Sequence, residues 1–430
     1  MNVTNGSTRD SQAEKKIGSR DIGPDLIRSV AAIMVVYLHA CVPYLKHPMP
    51  NLVWPVTDEA SNVCDQLFWA IEIVVMPLFL VISGFYAYRA FADSDGASFL
   101  KSRTKRLLRP LLFGAVVILP IDLYIWMAGF VSEGHLAPVK LRSLKVPSPL
   151  GDHLWGMGHL WFLMYVFLYG AIMVAASRWV TGGLPMRLRP AIRRGSAIVI
   201  SAIGIITLTF SPEVVFGFQH SFLPVISKWI YSGSFFAGGV ALAVFDPHFR
   251  TIDRLAWRNF SVGSIATAAA LIMGAWSLRE HSNDTLEANS SWLVAISLAS
   301  ITVVAAWMVA LGSIGLANCQ SDRLAHYPRV CEMIRYFAGA SFWIYLVHHP
   351  IVGLAHIDLK WLSLGLSPFV KSLVTLGIAL GWGLLSYEIF IRNTAFGEFL
   401  GLVTRRDSVK SAEPAIESEF AAPGRKERAA

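Results

Sequence analysis

The chain has 430 residues, 54% of them hydrophobic and 15% charged, with a mean hydropathy of +0.51. Soluble domains carry about 25% charged residues, so the composition excludes an ordinary soluble enzyme and favours an integral membrane protein. The net charge of +8 is read as Lys and Arg at loop ends, not as a nucleic-acid footprint.

Residues 1–25 are polar and are expected to form a cytoplasmic N-terminal segment. The apolar run 26–45 is too long for a signal-peptide core and suits a spanning helix, so it is read as a retained first helix. It contains Arg28 and His39, eleven residues apart. Eleven steps of 100° bring both side chains to one face, with a rise of about 16 Å between them. Arg28 then sits near the cytoplasmic boundary and His39 past the midplane. Ionisable groups at that depth usually face a cavity. A neutral imidazole is the cheapest of them to bury, and neutral is the state a general base needs. A structural histidine bonded to a neighbouring helix is the alternative.

The second apolar run, 68–90, carries Glu72 at a depth that agrees with His39 to within roughly 3 Å. Glu72 either orients His39 as part of the catalytic site or snorkels to water. The third run, 107–130, follows "KSRTKRLLRP", where Arg103, Arg106 and Arg109 recur every three residues near one face. Guanidinium forks suit phosphate oxygens, and a plain topological anchor would use the same residues. Loop 131–158 is long enough to fold over an outward-facing site. The fourth run, 159–177, opens on "GHLWFLMY". It is expected to place His159 at the water boundary and Trp161 just inside, as an aromatic belt or a sugar-binding platform.

Six further runs follow: 197–215, weakened by Ser211-Pro212, then 222–245, 259–278, 291–314, 336–356 and 369–391. The ninth contains "YLVHHPIV" and is expected to kink at Pro350. His348 and His349 point about 100° apart, so at most one shares a cavity with His39. The reading is therefore an all-α, polytopic membrane bundle of about ten transmembrane helices over 26–392. The rest, 393–430, reads as a cytoplasmic tail that is disordered from Thr404 onward. With the N-terminus in the cytoplasm, 29 of the 37 Lys and Arg fall on the cytoplasmic side, which favours two cytoplasmic termini.

Cys41, Cys64, Cys319 and Cys331 show no metal spacing. Cys41 and Cys64 both fall near the outer face, where a disulfide or two free thiols are open readings. A metal held by His39, His348 and Glu72 lacks a helical His-x-x-x-His or Glu-x-x-His spacing, so neither a metal nor a tightly bound cofactor is expected.

Four motifs in fixed order resemble the family-3 membrane acyltransferases: "DLIRSVAAIMVVYLH", "MPLFLVISGFY", "RTKRLLRP" and "SFWIYLVHHPI". "GHLWFL" and "YEIFIRNTAFGEFLG" are most similar to the branch that succinylates periplasmic glucans. The Glu-x-Pro ending and the fused esterase domain of other members are not visible. The resemblance implies transfer of an acyl group from cytoplasmic acyl-CoA (acetyl-CoA or succinyl-CoA) to a glycan or glycolipid hydroxyl on the outer side of a bacterial inner membrane. It implies His39 as the base, with Arg28, Arg103, Arg106 and Arg109 for acyl-CoA. His159, Trp161 and His348 are the candidate acceptor contacts. The competing reading is a proton-coupled secondary transporter of a small solute, since intramembrane His and Glu also build proton relays. The two halves lack the matched interrupted helices of such carriers.

Overall fold

The structure is a computed structural model that describes residues 22–148, 150–177, 189–282 and 288–403. The expectations for the N-terminal segment up to residue 21 and for the tail from 404 lie outside these ranges. Among the described residues there is no strand, and ten helices are long and apolar enough to cross a membrane.

In chain order they are α1 (Gly23–Cys41), α2 (Asn62–Ala92), α3 (Gly96–Ser132), α4 (Trp161–Ser177) and α5 (Arg189–Phe210). Then come α6 (Ile226–Phe245), α7 (Ala256–Ser282), α8 (Ala288–Leu324), α9 (Pro328–Trp361) and α10 (Pro368–Phe390). Each of the ten apolar runs corresponds to one helix, and most helices extend past the run that announced them. The fifth stops at Phe210, just before Ser211-Pro212. The ninth runs through Pro350 as one helix.

Helix starts follow local chemistry. Pro24, Pro328 and Pro368 stand in first turns, where a missing N–H costs nothing. Ser61 and Ser367 cap α2 and α10 by accepting the amides of Cys64 and Val370, as N-cap hydroxyls do.

Helix α1 is central, packed against α2, α8, α9 and α10. Helix α2 lies along α6, and the two backbones nearly touch. A Cβ on Gly84 would stand 2.1 Å from the carbonyl oxygen of Phe236, and one on Gly239 would stand 2.1 Å from that of Val81. The glycine of "SGFY" therefore makes a small-residue contact between the two helices.

The basic stretch before the third apolar run belongs to α3. Residues Thr104–Leu108 form a π-helical turn there, with Arg109 N–H reaching back to the carbonyl of Thr104. Arg109 donates to the Phe399 carbonyl at 2.9 Å and stacks on the Phe399 ring. Phe399 lies on α11 (Ala395–Leu400), capped by Thr394. The first residues of the expected tail are thus folded onto the bundle.

At the opposite end three connections weave over the helix tips: 42–61, the described parts of the α3–α4 connection (133–148 and 150–157), and 211–225. Lys371 pairs with Asp58 at 2.8 Å and Lys360 with Glu133 at 2.6 Å. Burial works against ionisation of Asp58, but the hydrogen bond and charge of Lys371 hold its carboxyl below the usual range. Phe218 N–H donates to the Pro50 carbonyl, and Met157 N–H to that of Ser221. Cys41 and Cys64 are buried free thiols.

Candidate functional site

Beneath the woven loops lies a cavity of about 440 Å³. His39 of α1, Glu72 of α2, Asp122 and Trp126 of α3, His159 and Trp161 around the start of α4, Lys228 of α6 and His349 of α9 all line it. Loop residues His153, Trp155, Phe218, His220 and Phe222 complete the wall. Trp155 and Phe222 are more than half exposed and mark its mouth. On α2 the lining runs from Phe68 to Leu80, about 18 Å of helix.

The histidines are fixed by backbone geometry. His39 Nδ1 lies 2.8 Å from the Val35 carbonyl, one turn back. A carbonyl only accepts, so Nδ1 carries the proton and Nε2 is the basic atom. His348 repeats the pattern with the Tyr345 carbonyl at 2.7 Å. Its Nε2 lone pair then faces His39 Nδ1 at 3.3 Å. His348 is fully buried and stands behind His39, while His349 lines the cavity.

Pro350 explains a third histidine. Proline has no N–H to return to the carbonyl four residues earlier, so the Leu346 carbonyl is left over inside α9. His159 Nε2 lies 3.1 Å from that oxygen and donates to it. Tyr345 in turn donates its hydroxyl proton to the His159 carbonyl. His159 is therefore buried in the centre of the cluster, not at the water boundary. Its ring stacks on His349 at 4.7 Å, and Trp126 stacks on His349 at 4.8 Å. Asp122 Oδ2 lies 3.1 Å from His349 Nδ1 and 3.9 Å from His159 Nδ1.

The other expected site residues distribute as follows. Glu72 lines the cavity, but no hydrogen bond joins it to His39 among the described residues. Its electrostatic neighbours are Lys228 and Tyr231. Lys228 holds its ammonium 4.1 Å from the Trp161 ring centroid. Arg28 pairs with Asp25 at 3.7 Å. Arg103 lies over the Phe99 ring at 5.0 Å, and Arg106 is exposed. None of the four arginines lines the cavity.

Sequence reasoning passed over Asp122, Lys228 and His356. Asp122 had a signal: a lone acid in a spanning segment is a functional candidate by the criterion that selected Glu72. His356 donates through Nε2 to the Ala40 carbonyl and accepts from Trp54 Nε1 at 3.0 Å, which secures the 42–61 loop over the site.

A cluster of four buried or half-buried histidines beside an aromatic cavity, inside a ten-helix bundle, suits an integral membrane group-transfer enzyme. The chain belongs to the acyltransferase family, whose model, described as an acyltransferase domain, matches residues 21–388. It is 24% identical over 393 residues to Glucans biosynthesis protein C of Escherichia coli (strain K12 / DH10B), a match that covers 86% of this chain and 91% of the relative. The proteins of the same name from Escherichia coli O17:K52:H18 (strain UMN026 / ExPEC) and Escherichia coli (strain SE11) match with the same identity and coverage. No solved structure matches the chain. The protein is a multi-pass membrane acyltransferase, and the family decides against the transporter reading.

Proposed function

We propose that the protein moves an acetyl- or succinyl-class acyl group from cytoplasmic acyl-CoA to a hydroxyl of an extracytoplasmic glycan, such as a periplasmic glucan. In this reading the loop-covered cavity faces outward in a bacterial inner membrane, and both termini are cytoplasmic. One observation carries the proposal: the His39 imidazole lines a sugar-sized cavity with its proton held on Nδ1 by the Val35 carbonyl.

The acceptor glycan would enter from the woven-loop end and stack a sugar ring on Trp126, Trp155 or Trp161, bringing one hydroxyl to His39. His39 Nε2 takes its proton as the oxygen attacks the thioester carbonyl. The carbon–sulfur bond breaks, and the departing CoA thiolate takes the proton from the imidazolium. Arg103 and Arg106 would hold CoA phosphates at the arginine-rich end. Ala115 is the cavity-lining residue of α3 nearest that end, and Arg106 lies nine residues before it, about 14 Å of helix. A pantetheine arm is long enough to bridge that gap. Lys228 is the cation available to a carboxylate-bearing acyl group such as succinyl.

The test is mass spectrometry of glycans from cells with the wild-type protein, with His39→Ala, and without the protein. An acyl mass present only with the wild type supports the proposal. Identical glycans in all three would overturn it.

A further inference from the structure

Acyl transfer by His39 leaves part of the cluster unused. Asp122, His159 and His349 come from three different helical segments and aim donor atoms at one point. One ligand atom from each lies within 4.8 Å of the others. Both Asp122 carboxylate oxygens and the Nδ1 atoms of His159 and His349 are buried without a hydrogen bond. Burying such atoms without hydrogen bonds is costly, and here the acid and the two imidazoles face one another, at 3.1 and 3.9 Å.

The tautomer of His159 sharpens the point. Its Nε2–H is committed to the Leu346 carbonyl, so Nδ1 presents a lone pair toward Asp122. A metal-bound histidine is typically oriented in this way, its second nitrogen donating to a backbone carbonyl. His349 is held flat against Trp126, with 10° between the ring planes. A single proton can bridge only two of these three groups, whereas a cation between them satisfies all three.

We propose that Asp122, His159 and His349 bind one divalent transition-metal ion of the zinc class. Two imidazoles and one carboxylate suit such an ion and not magnesium or calcium. In a tetrahedral site with bonds of about 2.0–2.1 Å, neighbouring ligand atoms stand roughly 3.3 Å apart. The two acid–imidazole separations of 3.1 and 3.9 Å lie either side of that value, and all three ligand atoms fall within 4.8 Å of one another, so binding requires the side chains to rotate inward. All three residues line the cavity, and three protein ligands leave one position for a molecule within it. The His39 ring lies 5.1 Å from that of His349, so the ion would set a Lewis acid beside the proposed base. No spacing motif announces the site, because its ligands are brought together only by the packing of α3, α9 and the start of α4.

The experiment uses the full chain, purified in detergent without a polyhistidine tag or chelator. Metal content is measured by inductively coupled plasma mass spectrometry. Chelator-stripped protein is then titrated with Co²⁺ and its visible spectrum recorded. The expected result is close to one equivalent of metal per chain and a saturable cobalt spectrum. Asp122→Asn and His349→Gln should each weaken cobalt binding at least tenfold. His356→Gln, a buried histidine outside the triad, should bind normally. A monodisperse wild-type protein with neither native metal nor a cobalt spectrum would overturn the proposal. So would cobalt binding unchanged in both triad variants. If a triad variant fails to fold, the wild-type metal content and spectrum still decide.

Discussion

Helices α1 and α9 differ from α5 and α7 in what surrounds them. About 61% of the apolar window of α1 and of α9 is enclosed by protein, against 11% for α5 and for α7. The enclosed pair carries His39, His348, His349 and His356. The outlying pair presents Ile198, Ile206, Ile265 and Ile272 outward, as lipid-facing helices do. The apolar runs look alike in hydropathy, so composition finds both kinds of helix without ranking them. An enclosed helix must satisfy every polar group it brings along, and those obligations build the site. The Leu346 carbonyl, freed by Pro350 and taken by His159, is one such obligation met by a residue of the cluster.

The sharpest way to break this comparison is at its centre. His39→Ala should lower acyl transfer by about 10²–10⁴-fold, the usual contribution of a general base, with unchanged membrane insertion. Transfer at the wild-type rate would move the chemistry to another residue. Lys228→Met tests the far wall of the same cavity. It should favour acetyl over succinyl donors, by about tenfold for one lost charge-assisted contact. An unchanged donor preference would remove Lys228 from acyl recognition.

Packing sets the next scale. Gly84→Ala drives a Cβ into the Phe236 carbonyl of α6, and overpacking of this kind typically costs about 1–3 kcal/mol. Gly274→Ala on α7 meets nothing within 4 Å. It should be neutral or stabilising by up to about 1 kcal/mol. Thermal unfolding of the two variants in one detergent compares an enclosed with an outlying position directly. Equal losses would mean that the α2–α6 approach is not a stability determinant.

The same contrast explains what was legible beforehand. All ten spanning helices were, because about 20 apolar residues are their own signal. That Arg28 and His39 lie on one uninterrupted helix was legible as well, although only His39 lines the cavity. Three things were not. The 100° between His348 and His349 was certain, but not the phase of α9, which is set by packing against α1. The three-residue repeat of Arg103, Arg106 and Arg109 assumed an α-helix, and the π-helical turn at Thr104–Leu108 alters the phase. His159 looked interfacial because the loops covering it are not helices and carry no depth signal. Arg109, tied to Phe399, should affect stability when mutated. Arg106, exposed, is the better probe of donor binding: Arg106→Ala should raise the KM for acyl-CoA about tenfold, the cost of one phosphate contact. An unchanged KM would make the row a topological anchor.

The smallest expected effect concerns the loops over the cavity. His220 lies between α5 and α6, with Nδ1–H donating to the His153 carbonyl at 2.7 Å and Nε2 accepting from Gly158 N–H at 2.9 Å. It thereby joins the 211–225 connection to the turn that introduces His159, where Gly158 adopts φ +50°. Burial lowers the pKa of His220 below its ordinary value, and the His153 carbonyl only partly offsets this. The folded chain therefore takes up the proton at lower pH than the unfolded chain. Below about pH 6.5, the ordinary histidine value, the unfolded state binds more protons, and stability falls as pH drops. Protonation at Nε2 would also remove the acceptor for Gly158. The melting temperature of the wild type should fall between pH 7 and pH 5.5 more steeply than that of His220→Gln, which has no proton to gain. Identical slopes would show that the loop junction does not sense pH through this residue.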